Sequence, residues 1–235
     1  MTMRACALLA LAGLGACADN DRSLSITHFV PPKTSNGACT IDPAVAVVTT
    51  RGVWDLDLAT GFSVGYDVYF VVQSNLMALS SAPIDTQAFY VSSFDVELEP
   101  QGAVAVAIPP DRRNFNYPTG SVRLAPGDSQ AEEVQVIPPD LLPGIAALSP
   151  PYGTIVARIR PVATRAEEQF EGAFVDFPVE MCKGCLSGSI DACPLPTGTT
   201  ALEGNACNFS VDQAVTCCDA AGRLLCGKDA PIATM

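Results

Sequence analysis

The chain has 235 residues, 49% of them hydrophobic and 16% charged, a balance that supports a buried core and rules out a disordered, self-solvating polymer. Thirteen Lys and Arg against 25 Asp and Glu give a net charge of −12, which excludes the basic face that a nucleic-acid binder needs. Ten cysteines and 19 prolines point to oxidised, loop-rich β structure and away from a helical bundle.

Met1 to Arg4 carry one positive charge, and Ala5 to Leu14 form an apolar run of ten residues, too short to span a bilayer as a permanent helix. Leu14-Gly15-Ala16-Cys17 follows, with small residues just before a cysteine. A charged start, an apolar run and this tetrad, in that order, resemble the signal and lipobox of bacterial lipoproteins. The resemblance implies cleavage before Cys17, a diacylglyceryl thioether on its sulfur and a palmitate-type chain on its amino group. It also implies anchoring in membrane lipid through acylated Cys17 and, because Ala18 and not Asp follows the cysteine, sorting to the outer membrane; Asp19 stands one place later. The competing reading is an ordinary secretory signal with an incidental cysteine. Residues 1–16 therefore read as a signal peptide and 17–38 as a lipidated tether. Ala18 to Gly37 is polar, contains Pro31-Pro32 and has few large side chains after Phe29, as a flexible spacer requires. His28, the one histidine, falls in this stretch with no second imidazole and reads as a solvated residue, neither ligand nor base.

Over residues 39–181 the dominant period is two. Trp54, Leu56 and Leu58 alternate with Asp55 and Asp57; Val64 to Val72, Phe94 to Leu98 and Val175 to Met181 repeat the pattern. Such runs are half-buried antiparallel strands, apolar inward and polar outward. Shorter candidates are Val45–Thr49, Val104–Ile108, Ser121–Leu124, Glu133–Ile137 and Thr154–Arg160, separated by turns such as Pro109-Pro110, Pro126-Gly127 and Pro150-Pro151. Leu141 to Leu148 could coil for a turn or two, but Pro143-Gly144 opposes it. The fold class expected is all-β: an Ig-like antiparallel β-sandwich with a small disulfide-rich C-terminal appendix.

The appendix is residues 182–235, with seven cysteines and few large apolar side chains, too poor in hydrophobes to fold by burial alone. Beyond Cys17 the cysteines are Cys39, Cys182, Cys185, Cys193, Cys207, Cys217, Cys218 and Cys226. Eight is even, and an exported chain meets an oxidising compartment, so four disulfides are expected. Seven in the tail cannot all pair among themselves, and Cys39 is the outside partner available; the remaining connectivity is open among about a hundred pairings. Neighbouring Cys217 and Cys218 should each pair elsewhere. Val215 to Cys226 reads as a hairpin around Gly222. Cys207-Asn208, Asp212-Gln213, Cys217-Cys218 and Cys226, with the strand and CxxC stretch from Phe177 to Cys185, resemble the Cys-rich ends of myxobacterial-type lipoproteins, a group that implies no activity.

Two chemical readings compete with stapling. Cys182-Lys183-Gly184-Cys185 has the spacing of a thiol–disulfide redox pair, yet no apolar-periodic helix follows to stabilise a thiolate. The same two residues could supply half of a four-thiolate zinc shell, but the other spacings do not repeat the gap. A nucleophilic triad needs a base, and His28 is no candidate. Of the acid pairs, Asp55 and Asp57, Glu97 and Glu99, and Glu167-Glu168, the first two lie on outward strand faces, where acids are ordinary. Asp55-Leu56-Asp57 departs from a calcium loop, with Ala59 at the third ligand position, and no phosphate loop or HExxH occurs. Asn208-Phe209-Ser210 fits a glycosylation sequon, and Asn114-Phe115-Asn116-Tyr117 reads as a loop whose aromatics either meet a partner or fold back on the sandwich edge. The expected role is that of an envelope lipoprotein, structural or binding an envelope protein or glycan, with no cofactor and no catalytic activity. The alternatives are a thiol–disulfide oxidoreductase using Cys182 and Cys185, or a glycan-acting protein with an unlocated carboxylate site.

Overall fold

Alternating side chains build two facing sheets. In the computed structural model, which describes residues 23–35, 38–78, 87–187, 190–205 and 207–233, strands β1 (Leu24–Phe29), β5 (Tyr66–Ser74) and β8 (Ser129–Ile137) form a three-stranded antiparallel sheet with β5 central. The larger sheet runs β4-β11-β9-β6-β7, from β4 (Gly52–Asp55) through β11 (Val175–Cys182), β9 (Thr154–Arg165) and β6 (Phe89–Gln101) to β7 (Asn114–Leu124), with β10 (Glu168–Glu171) as a hairpin on β9. Its β4–β11 pairing is parallel and joins Gly52 to Val179 and Asp55 to Cys182. The tail adds a small sheet of β12 (Asp191–Ala192), β13 (Cys217–Asp219) and β14 (Leu224–Cys226). A short ribbon pairs β2 (Lys33–Ser35) with β3 (Ala38–Thr40). The all-β sandwich with a disulfide-rich C-terminal region is thus what the chain forms. Among the described residues no helix is long and apolar enough to cross a membrane.

Between the sheets lies one continuous core. Phe70 of β5 meets Phe94 of β6 edge-on at 5.0 Å and Phe29 of β1 at 5.9 Å, while Phe29 lies 4.5 Å from Phe177 of β11. Edge-on and tilted rings bring positive edges to negative faces, which adds to the area they bury. The opposite face of β5 is covered too: Tyr69 and Val71 pack with Val30, Ile41, Val45 and Cys207. The outer face of the large sheet is charged. Arg160 bridges Asp95 and Glu171, Arg158 bridges Glu97, Glu99 and Asp176, and both guanidinium groups stack on Phe174.

Several elements differ from the sequence expectation. Leu24–Phe29, inside the stretch expected as a tether, is a strand paired with β5, because Leu24, Ile26 and Phe29 reach the core. His28 lies on that strand, its Nδ1 bonded to the Thr27 hydroxyl at 2.8 Å. The alternation from Trp54 to Leu58 ends at Asp55, where α1 (Leu56–Phe62) begins; Leu56, Leu58 and Ala59 supply its buried face. Val104–Ile108 is no strand, since Gly102 starts a 3-10 turn through Val106. Val45–Thr49 forms no ladder beyond one bridge from Thr49 to Phe29, and Val47 and Val48 are exposed. A helical turn, α2 (Leu142–Ala146), forms despite Pro143, which sits in its first turn where no amide donor is needed. Asn114 to Tyr117 opens edge strand β7, and Phe115 and Tyr117 fold back on the core.

The central ring cluster sets a stability expectation: Phe70→Ala should cost about 3–5 kcal/mol, read as a lowered midpoint in chemical denaturation with an unchanged slope.

Candidate functional site

Strand β4 is where the sandwich and the tail meet. One of its edges pairs with β11; the other would be an open row of donors and acceptors, a liability in any sheet. Tail residues 208–212 cover it. Asp55 N–H donates to Ser210 O at 2.8 Å, Asp212 N–H to Val53 O at 2.9 Å, and Val53 N–H to Asp212 Oδ1 at 2.8 Å. Asp212 Oδ1 also accepts from Tyr66 Oη at 2.7 Å. Tyr66 reaches it across Gly52, where an added Cβ would sit 1.7 Å from the Tyr66 oxygen. Buried Asn208 donates through Nδ2 to Gly65 O at 3.1 Å and Asp67 Oδ2 at 3.3 Å, and its Oδ1 accepts from the amide and hydroxyl of Ser210. That buried, engaged amide leaves the sequon nothing to present. The Cys39–Cys207 disulfide closes the same junction over a separation of 168 residues.

Below this edge sits Asp55, 0% exposed. Its carboxylate accepts three backbone N–H groups: Asp57 at 3.1 Å and Gly184 at 3.0 Å on Oδ1, and Leu186 at 2.9 Å on Oδ2. The first caps α1, as an aspartate at this position does. The other two come from the Cys182–Cys185 turn, so one side chain fixes a helix start and the CxxC loop together. This is not the outward strand position that alternation suggests for Asp55. Cys182 is half-buried and Cys185 exposed, and the two form a disulfide. Asp55 and the two sulfurs place their ligand-type atoms within 4.8 Å of one another, but a bridged pair offers no thiolate to a metal. Residues 183–187 are bends and turns, with Gly184 at φ +67, and no helix starts there. Cys182 lines a cleft of about 490 Å³ with Pro151, Tyr152, Met181 and Lys183. Lys183 Nζ donates to Ala146 O at 2.8 Å and lies 5.8 Å from the Tyr152 ring centre.

All eight cysteines after Cys17 are paired. Besides the two bridges above, Cys193 joins Cys218, and Cys217 joins Cys226 across the β13–β14 hairpin. Neighbours Cys217 and Cys218 point to different partners. Residues 1–16, expected as a signal peptide, and Cys17 and Ala18 lie outside the described residues. Glu97 and Glu99 sit on the charged outer face, bonded to Arg158, and Glu167 and Glu168 lie at the exposed β9–β10 turn, so neither pair makes a cleft. Sequence reasoning missed Asp55, Asp212 and Asn208 as organisers. An Asn-x-Ser run beside a cysteine carries a turn signal, but nothing local says which strand it covers.

Asp67 and Asp212 at the junction are half-buried, as is Glu132 on β8, while its neighbour Glu133 is exposed. Burial pushes the Asp212 carboxyl up, against the opposing bonds from Val53 and Tyr66. Burial likewise raises Asp67 despite the amides of Asn208 and Gln135, raises Glu132, and raises Glu133 with help from the charge of Asp67. The Tyr66 hydroxyl is held well above its ordinary value, first by burial and then by Asp212. No family model, no curated protein and no solved structure matches the chain.

These shifts fix a pH dependence. A carboxyl raised in the fold holds its proton more firmly there than in the unfolded chain, so stability falls as pH rises above the ordinary values of 3.8 for aspartate and 4.5 for glutamate and levels off above the folded values. Denaturation midpoints should therefore be higher near mildly acidic pH than at neutrality, and Asp67→Asn should flatten the slope; a midpoint that rises toward neutral pH contradicts the assignment.

Proposed function

We propose that the chain is an exported lipoprotein of the bacterial cell envelope, anchored through acyl chains on Cys17, sorted to the outer membrane, and serving a structural or partner-binding role without catalysis. The partner class is an envelope protein or glycan. The observation that carries the reading is the complete pairing of eight cysteines into four disulfides, an inventory suited to an oxidising compartment, beside a lipobox at Leu14 to Cys17. Two or three acyl chains, each CH₂ adding about 0.8 kcal/mol, are enough for lasting attachment.

Strand β1 starts at Leu24, so the chain from Cys17 to the sheet spans at most about 25 Å when fully extended. The sandwich then stands close above the lipid surface. Its many acids oppose attraction to anionic headgroups, which leaves lipid insertion as the holding force. The ion-paired outer sheet face offers a broad polar surface to a partner.

Growth with labelled palmitate tests the anchor. The wild-type chain should carry label and fractionate with membranes, and Cys17→Ala should lose both. An unlabelled precursor recovered from the cytosol with reduced thiols contradicts the proposal.

A further inference from the structure

Strand β1 enters the sandwich beside the end of β5. Leu24 pairs with Ser74, Asn75 N–H donates to Ser23 O at 2.8 Å, and Asn75 Nδ2 donates to Ser25 Oγ at 2.9 Å. Loop 75–78 is therefore fixed at the root of the chain that leads back to Cys17. Leu76 packs against the core, while Met77 is 85% exposed, the most exposed large apolar side chain among the described residues. Single exposed apolar residues are ordinary; Met77 is set apart by its place. The turn 125–128 lies beside the same loop, with Ser74 N–H donating to Asp128 O at 2.9 Å and Gly127 N–H to Ser74 O at 3.1 Å. Residues 74–78 and 124–127 carry no charge, in a chain with 25 acids.

We propose that loop 75–78 is a lipid-contacting surface, with Met77 seated in the interface of a zwitterionic phospholipid leaflet beneath the sandwich. This rests on the anchoring of Cys17 proposed above. From Cys17 to Leu24 the chain reaches at most about 25 Å, so this end of the sandwich stays near the lipid. A contact made by a chain already anchored is intramolecular, and a short connection gives it a high effective concentration. One side chain then suffices where it would not hold a free protein. An unbranched, polarizable thioether adapts to irregular surroundings such as interfacial acyl chains. The charges at this end select the lipid. Asp128, whose carboxylate accepts from Ala125 N–H at 3.2 Å, stands there with Arg123, and Glu167 and Glu168 stand there with Arg165 on the β9–β10 hairpin. Asp19 and Asp21 lie in the connecting chain. These acids oppose an anionic surface and leave a zwitterionic one.

The contact would give the sandwich an orientation. Strand β5 runs from Tyr66 at the tail junction to Ser74 beside the tether, and a strand of that length covers roughly 25–30 Å. With Met77 on the lipid, the covered β4 edge and the tail disulfides stand on the far side, open to a partner. Val106, 84% exposed, marks that far end. It closes the 3-10 turn that follows β6, whose last residue Gln101 pairs with Thr154, whereas Tyr90 near its start pairs with Thr164 and Arg123 at the tether end. Two apolar residues of nearly equal exposure thus stand at opposite ends, and the proposal assigns lipid to one of them.

The test uses the chain purified from membranes and reconstituted into phosphatidylcholine vesicles, with and without bromine atoms high on the acyl chains. Trp54 is 0% exposed and gives a constant background. The added indole of Met77→Trp should lose about half its fluorescence to the brominated lipid, at the interfacial depth of roughly 5–10 Å that such contacts reach. That of Val106→Trp should lose none. Protein that floats with the vesicles while Met77→Trp stays unquenched overturns the lipid contact and leaves the anchor standing. Equal quenching of both variants overturns the orientation, and protein that fails to float overturns the anchor and this inference with it. Because an indole itself favours the interface, the wild-type side chain is tested as well. Oxidation of Met77 by chloramine-T, mapped by mass spectrometry, should be at least about fivefold slower on vesicles than in the Cys17→Ala chain in solution, since oxidation follows exposure; equal rates overturn the proposal.

Discussion

Everything at the junction of sandwich and tail rests on covering the free edge of β4. A strand of four residues paired on one side only is a weak end to a sheet, and its open amides need partners. The chain supplies them from the far end of its sequence: Ser210 and Asp212 bond to Val53 and Asp55, with Tyr66 and Asn208 anchoring the same loop to β5 and its approach. A segment with few large apolar residues, whose own core is the small cluster of Leu195, Cys218 and Ala230, thereby gains a fixed place. The disulfides lock what the hydrogen bonds position.

Burying this many polar groups has a consequence for charge. Asp55 meets three N–H donors, whereas Asp67, Asp212 and Glu133 are each pushed toward the protonated form by burial. In a chain of net charge −12, the desolvation of Asp67 and Asp212 falls at the place where tail and sandwich are joined. The outer face of the large sheet handles its acids differently, with Arg158 and Arg160 each serving several carboxylates in water, where each pair contributes little to stability.

Period-two patterning made most strands legible, because one face of the large sheet is wet. Phe94, Val96 and Leu98 point inward while Asp95, Glu97 and Glu99 point out, and each sits where its pattern places it. The pattern misled where another force decided. Trp54 to Leu58 alternates, but a buried Asp55 caps a helix and the leucines serve its inner face. Leu24 to Phe29 is too short and mixed to stand out as a strand; its partner β5, which buries both faces, makes it one. Counting cysteines required Cys39 to reach the tail, yet only the folded chain selects Cys207, since that choice depends on the loop lying against β5. The roles of Asp55 and Asp212 left no trace in sequence, because they depend on strands far away in the chain.

The most direct test of the account is native-state hydrogen exchange followed amide by amide. If tail and sandwich form one cooperative unit, the amides of Val53, Asp55, Gly184, Leu186 and Asp212 should exchange only through global opening, with the same free energy as the central amides of β6 and β9. Exchange of the tail and β4 amides through a separate, cheaper opening that leaves β6 and β9 protected would contradict it.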